Sequence, residues 1–180
     1  MIVEVGLPPL SKTFTVHSHR LTARSRFFKS TTAKLWTSGR KEDRKIELPH
    51  DNPQDFENYL QCLYQGTLDY EEVDALGIDS LIRLYILADK LGDLHTVNMA
   101  IDQLIRLSDK TSEIPDGDSI ALIFDNTPDT SPLRRLAVDF YLFEGSLEVY
   151  EELDDETPSA FSLAFMKRFR GVARCYFPGL

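Results

Sequence analysis

A chain of 180 residues fits one domain, or a domain with a helical extension, and at that size it buries roughly 70% of its unfolded surface without a disulfide or metal staple. The apolar share of 42% against 27% charged is the ordinary globular mix, and no apolar run approaches the roughly 20 residues of a spanning helix, so neither disorder nor a membrane span is expected. The net charge of −9 repels phosphate backbones at long range and argues against general nucleic-acid binding.

Two alternating segments open the chain, IVEV at 2–5 and TFTVH at 13–17, and the Gly-Leu-Pro-Pro between them suits a hairpin loop. On the second strand Phe14 and Val16 share one face, Thr13, Thr15 and His17 the other. A basic stretch follows, and then a third short strand, KIEL at 45–48. In DNPQDFENYLQCLYQG the period becomes helical: Asn52 caps, Pro53 enters, Phe56, Tyr59, Leu60, Leu63 and Tyr64 make a stripe, and Gly66 stops it. IDSLIRLYILADKLGD places Asp79 as cap and Leu81, Leu84, Tyr85, Ala88 and Leu91 on one face, ending at Gly92. Asp93 restarts the chain, and Leu94, Val97, Ile101, Leu104 and Ile105 form the facing stripe of an antiparallel helix pair. Residues 109–118 read as a linker, with Pro115 and Gly117 in a polar stretch. Beyond it the pattern is all helical: SIALIFDN, then Ser131 capping and Pro132 opening a helix with Leu133, Leu136, Ala137, Phe140 and Tyr141. In the last helix Thr157 caps, Pro158 enters, and Phe161, Ala164, Phe165, Phe169 and Val172 align.

The charge is unevenly spread. Residues 1–45 carry ten Lys or Arg against three acids, a net of +7, which leaves −16 for the rest of the chain. Part of that sits in residues 144–158, with seven acids and no base, read as a solvated face before a docking site for a basic partner. The opening MIVEVGLPP lacks the basic region and apolar core of a signal peptide. Cys62 and Cys175 stand far apart with no CxxC spacing. Together these point to reduced thiols and an intracellular location, cytoplasm or nucleus.

Chemistry-bearing patterns are sparse. His17 and His19 form an H-x-H pair, but a zinc site needs a third and fourth ligand, and neither the cysteines nor His50 and His95 have the spacing to supply them. The stronger reading puts His17 at a strand-to-helix junction, bonded to backbone and packed under the helix, with His19 and Arg20 facing solvent. Arg20, Arg24, Arg26 and Lys29 make a basic helical face, but no interleaved aromatics or reading module accompany it, so an ion-paired protein interface or a solvated face is favoured over nucleic acid. Phe27 and Phe28 are adjacent, about 100° apart on a helix, so at least one serves the core. Trp36 is the single tryptophan, in a polar, basic connection, where it is either a lid over the sheet edge or an exposed anchor. There is no GxSxG, no P-loop and no opposed carboxylate pair, so no catalytic residue, metal or cofactor is assigned. A metal-dependent enzyme is the remote alternative.

Read together, FTVHSHRLTARSRFF and IELPHDNPQDFENYLQCLYQGTLDY resemble the BTB/POZ domain. The resemblance rests on Phe14, His17, Leu21, Ser25 and Phe28, on the Leu63, Tyr64 and Gly66 ending of the following helix, and on their order from about residue 2 to 108. SLIRLYILADKLGDL looks like the paired helices that complete that domain. NTPDTSPLRRLAVDFYLF is similar to the helical extension of BTB proteins common in filamentous fungi. The resemblance implies an α+β fold, a helical cluster flanked by a short, mostly N-terminal sheet, with the domain at 1–108, a linker at 109–118 and an all-helical extension at 119–180. It implies a non-enzymatic protein-protein interaction module, a homo- or hetero-oligomerising adaptor, with a protein partner or a second copy as ligand. Two departures stand out. The exchanged arm that precedes the first strand in many relatives is missing or trimmed here, where strand-forming residues begin just after Met1, so a domain-swapped dimer is not the expectation. The hydrophobic-x-acidic signature of relatives that bind a cullin scaffold is replaced by Ser38, Gly39 and Arg40, which makes a ubiquitin-ligase adaptor the second choice. Phe14, His17, Leu21, Ser25, Phe28, Tyr64 and Gly66 are then framework, and Arg20, Arg24, Phe27, Lys34 and Trp36 are the candidate interface.

Overall fold

The computed structural model describes residues 1–37, 45–66, 70–143 and 157–176. They belong to two compact units, Met1–Gln103 and Leu104–Leu180. The first holds strands β1 (Ile2–Val5), β2 (Lys12–Thr15) and β3 (Lys45–Leu48), and helices α1 (Ser18–Arg24), α2 (Arg26–Thr37), α3 (Pro53–Gln65) and α4 (Tyr70–Leu91). Helix α5 (Leu94–Thr111) begins in the first unit and ends in the second. The second unit continues with α6 (Gly117–Asn126), α7 (Pro132–Phe143) and α8 (Ser159–Tyr176).

The sheet order is β2-β1-β3. β1 pairs antiparallel with β2, Val3 opposite Phe14, and parallel with β3, Val3 opposite Ile46. A hairpin makes the first pairing; the second needs a crossover, which the segment carrying α1 and α2 supplies. Alternation decides which face is covered: Val3, Val5, Phe14, Val16, Ile46 and Leu48 are all buried, while Thr13, Thr15, Lys45 and Glu47 point to solvent. β2 ends two residues earlier than its alternating pattern, because His17 leaves the ladder to become the N-cap residue of α1.

The basic stretch is two helices. Ser25 interrupts it in extended conformation, φ −95° and ψ 122°. Its hydroxyl accepts the Phe28 N–H at 3.1 Å, serving the start of α2, and donates to the Leu91 carbonyl at 2.5 Å at the end of α4. Leu21 on α1 and Phe28 on α2 are thereby fully buried. Phe28 and Phe56 lie 6.4 Å apart by ring centroids, and each such ring contributes on the order of 1.5–3 kcal/mol by leaving water.

Helix α3 starts and stops as its sequence indicates. Asn52 accepts the Gln54 N–H at 2.7 Å, Pro53 follows, and Gly66 closes the helix at φ 79° with its N–H on the Cys62 carbonyl. In α4 the backbone breaks at Gly77, φ 71°, so the start of the Leu81–Leu91 stripe is set two residues before Asp79, the expected cap. Gly92 joins α4 to α5 at φ 67°, and a Cβ there would stand 3.1 Å from Arg26 Cβ, so both the turn and the approach of α2 require glycine.

In the second unit the connection is shorter than the polar stretch suggests, since α5 extends to Thr111 and α6 starts at Gly117, capped by the Asp116 side chain on the Ser119 N–H at 2.9 Å. Ser131 accepts the Leu133 N–H at 3.3 Å and Pro132 opens α7. Thr157 does not cap α8. The carbonyl of Pro158 takes the first amides, from Phe161 and Ser162, and Thr157 Oγ1 has no hydrogen-bond partner among the described residues. The core of this unit gathers around Phe161, whose ring meets Phe124 at 5.6 Å and Tyr141 at 5.1 Å, both edge-on.

Candidate functional site

Arg20 and Arg24 lie one turn apart on the same face of α1, and their guanidinium groups take different partners. Arg24, expected at an interface, turns inward. Its Nη1 donates to the Cys62 carbonyl at 3.1 Å, and its Nη2 donates to Thr96 Oγ1 at 2.7 Å and lies 3.1 Å from Asp93 Oδ2. Nη2 also meets His95 Nδ1 at 3.1 Å; a guanidinium only donates, so that ring nitrogen accepts.

The reason is Asp93, whose side chain is only 1% exposed. Its carboxylate caps α5 by accepting the N–H groups of His95 and Thr96, and it takes two hydroxyls, Thr96 at 3.0 Å and Tyr59 at 3.2 Å. An anion so placed needs a cation, and Arg24 is the one in reach. Burial first, and then the Asp93 charge, push the Tyr59 phenol well above its ordinary range, which keeps it a donor. This cluster ties α1, α3 and α5 together. It is scaffold, and nothing in the local sequence of Arg24 announces it.

What α1 leaves outside is a small patch against the end of α3. Tyr64 is 42% exposed although its helix is otherwise a core element. Its hydroxyl accepts the His17 N–H at 3.2 Å and lies 2.9 Å from His17 Nδ1, and the Arg20 guanidinium stands 6.0 Å from its ring centroid. His17 is thus exposed and bonded to a tyrosine, not packed beneath the helix, and its ring is 6.0 Å from that of His19. Among the described residues no three His, Cys, Asp or Glu side chains converge as metal ligands. A shallow hollow of about 350 Å³ adjoins the patch, bordered by His19, Arg20, Ala23 and Arg24 of α1 and by Leu63 to Gly66 at the end of α3.

The remaining sequence candidates are scattered. Phe27 is half-buried with its ring edge-on to Phe28 at 5.2 Å, and Lys34 is exposed. Trp36 falls in the last turn of α2; its side chain, like Ser38, Gly39 and Arg40 of the connection before β3 and the acidic run from Glu144 to Glu156, lies outside the described residues. Phe14, Leu21, Ser25 and Phe28 are buried, and Gly66 holds the left-handed stop of α3. No helix among the described residues is long and apolar enough to cross a membrane.

A three-stranded sheet with a crossover helix pair, a capped aromatic helix and a tight helical hairpin is an arrangement that can be tested against known families. The family model of the BTB/POZ domain matches residues 2–106. The chain belongs to the BTB/POZ domain family. BTB/POZ domains are protein-protein interaction modules, and the matched span of this one carries both the Asp93 cluster and the Tyr64 patch. No curated protein matches the chain.

Proposed function

We propose that this chain is a non-enzymatic adaptor whose BTB/POZ domain binds a protein, a second copy of itself or another chain, through the patch formed by Tyr64, Arg20 and His19, with α6 to α8 as a helical extension beyond it. The observation that carries the reading is the fixing of an exposed tyrosine: backbone and imidazole hold its hydroxyl, and an arginine lies over its ring. A rigid aromatic beside a guanidinium loses little side-chain freedom on docking, and tyrosine and arginine are the residue types that dominate interface energetics. The neighbouring Arg20 and the basic balance of the first 45 residues favour an acidic rim on the partner.

Light scattering across a concentration series separates the two occupants. If the partner is a second copy, the wild-type chain gains mass with concentration and Tyr64→Ala combined with Arg20→Glu stays monomeric. If the partner is another chain, both remain monomeric and the variant loses its binding. A self-association unaffected by the double substitution would remove the patch from the interface.

A further inference from the structure

The second unit contains a groove that the BTB/POZ match does not reach. It lies between α7 and α8 with the end of α6 as its floor, about 300 Å³ in volume, and it is half open to solvent. Phe124, Val138, Leu163 and Ala164 give it an apolar lining. Four cations border it, Arg134, Arg135, Lys167 and Arg168.

Two of those cations are already committed. Arg134 pairs with Asp129 at 2.6 Å, and Arg168 pairs with Asp139 at 2.8 Å, a bond that also raises the affinity of its guanidinium for the proton. Arg135 on α7 and Lys167 on α8 are exposed and have no ion-pair partner among the described residues. They stand on opposite walls of an apolar floor, in a chain whose net charge is −9. A local positive rim of that kind on an acidic protein selects for an anionic ligand.

The apolar surface extends beyond the groove along the outside of α8. Leu163, Met166 and Phe169 are 57%, 48% and 51% exposed, one per turn, with Arg170 beside them. From Leu163 to Arg170 the helix rises about 10 Å, which matches two turns of a second helix lying alongside it. Such an apolar strip with a charged margin is the surface on which an amphipathic helix docks through residues at i, i+3 or i+4, and i+7.

We propose that this groove binds an acidic amphipathic helix of another protein, its aliphatic stripe over Leu163, Ala160 and Ala164 and its Glu or Asp residues on Arg135 and Lys167. The groove is built from the second unit alone and the proposed Tyr64 patch from the first.

The test uses two labelled helical peptides with the same leucine stripe, one with glutamate and one with lysine at every other position, titrated into the full chain by fluorescence anisotropy. The expected result is saturable binding of the glutamate peptide that weakens about tenfold in Arg135→Glu/Lys167→Glu and at raised salt, with that variant now preferring the lysine peptide. Leu163→Asp weakens both peptides. Because all three positions are exposed, unchanged circular dichroism and melting confirm that the variants fold. Failure of the glutamate peptide to saturate, equal affinity for the two peptides, or no effect of the charge reversal overturns the proposal. Self-association that Leu163→Asp abolishes, or tighter binding of a single-stranded oligonucleotide than of the glutamate peptide, assigns the groove to another occupant and overturns it as well.

Discussion

Arg24 in the first unit and Arg134 in the second are both largely buried and each holds a helix terminus through main-chain carbonyl and carboxylate contacts, but the two carboxylates stand in opposite surroundings. Arg24 meets Asp93, a carboxylate 1% exposed that also caps α5. Arg134 takes the Phe124 carbonyl at 2.5 Å and the Thr127 carbonyl at the end of α6, lies 4.6 Å from the Phe124 centroid, and pairs with Asp129, which is 95% exposed. In the first case the arginine is indispensable because the anion has no water. In the second the carbonyls and the ring matter and the ion pair hardly does, since water screens it.

That contrast ranks the outcomes of substitution. Arg24→Met leaves a buried carboxylate without its cation and is expected to destabilise the first unit by about 3–5 kcal/mol, read from guanidinium unfolding. A loss as small as that of a surface pair would break the comparison. Arg134→Met removes charge-assisted bonds to the α6 carbonyls and is expected to cost about 1.5–3 kcal/mol. Asp129→Asn should leave the same transition nearly unchanged, and a drop comparable to Arg134→Met would place the energy in the ion pair instead of the carbonyls. Tyr64→Ala with Arg20→Glu should cost about 1 kcal/mol, because Tyr64 gives up its bonds to His17 while the rest of the change is at the surface.

The smallest effect is a matter of pH. Asp55 is largely buried on α3, and desolvation raises its carboxyl above the usual 3.8 despite Arg83 at 3.4 Å. A raised carboxylate means that the folded state binds the proton more readily than the unfolded one. Its contribution is therefore fully present below the ordinary aspartate range and is lost as pH rises through the raised value. Relative to Asp55→Asn, the wild-type chain should gain melting temperature on going from neutral pH to about pH 4, and a constant difference between the two would show that Arg83 offsets the burial.

Local chemistry was readable from the sequence where it acts over a few residues. Asn52 with Pro53, Ser131 with Pro132, Gly66 and Gly92 all sit where caps and left-handed stops require those residue types, and the alternation of Phe14 and Val16 marked the covered face of β2. The family resemblance followed from the spacing of Phe14, Leu21, Ser25 and Phe28, all of which are buried. Arg24 was misplaced because its partner lies 69 residues away, and a basic helix looks the same from outside whether its arginines face water or a buried acid. The break at Ser25 had a signal, a serine of the type that starts helices, overridden by reading Arg20, Arg24, Arg26 and Lys29 as one helical face. Thr157 looked like a cap by type, but Pro158 supplies the first carbonyl itself. Tyr64 was read as framework because it ends an apolar stripe. Its exposure depends on where α1 packs, which no local pattern states.

The most direct test of recognition through the Tyr64 patch is quantitative affinity purification from the source cells with the wild-type chain and the Tyr64→Ala/Arg20→Glu variant side by side, followed by titration of the recovered partner, which for a self-associating chain is the chain itself. The expected result is a partner that binds the wild-type chain and loses at least about tenfold in affinity for a variant that still unfolds in one cooperative transition well above the assay temperature. Equal binding of wild type and variant would contradict it.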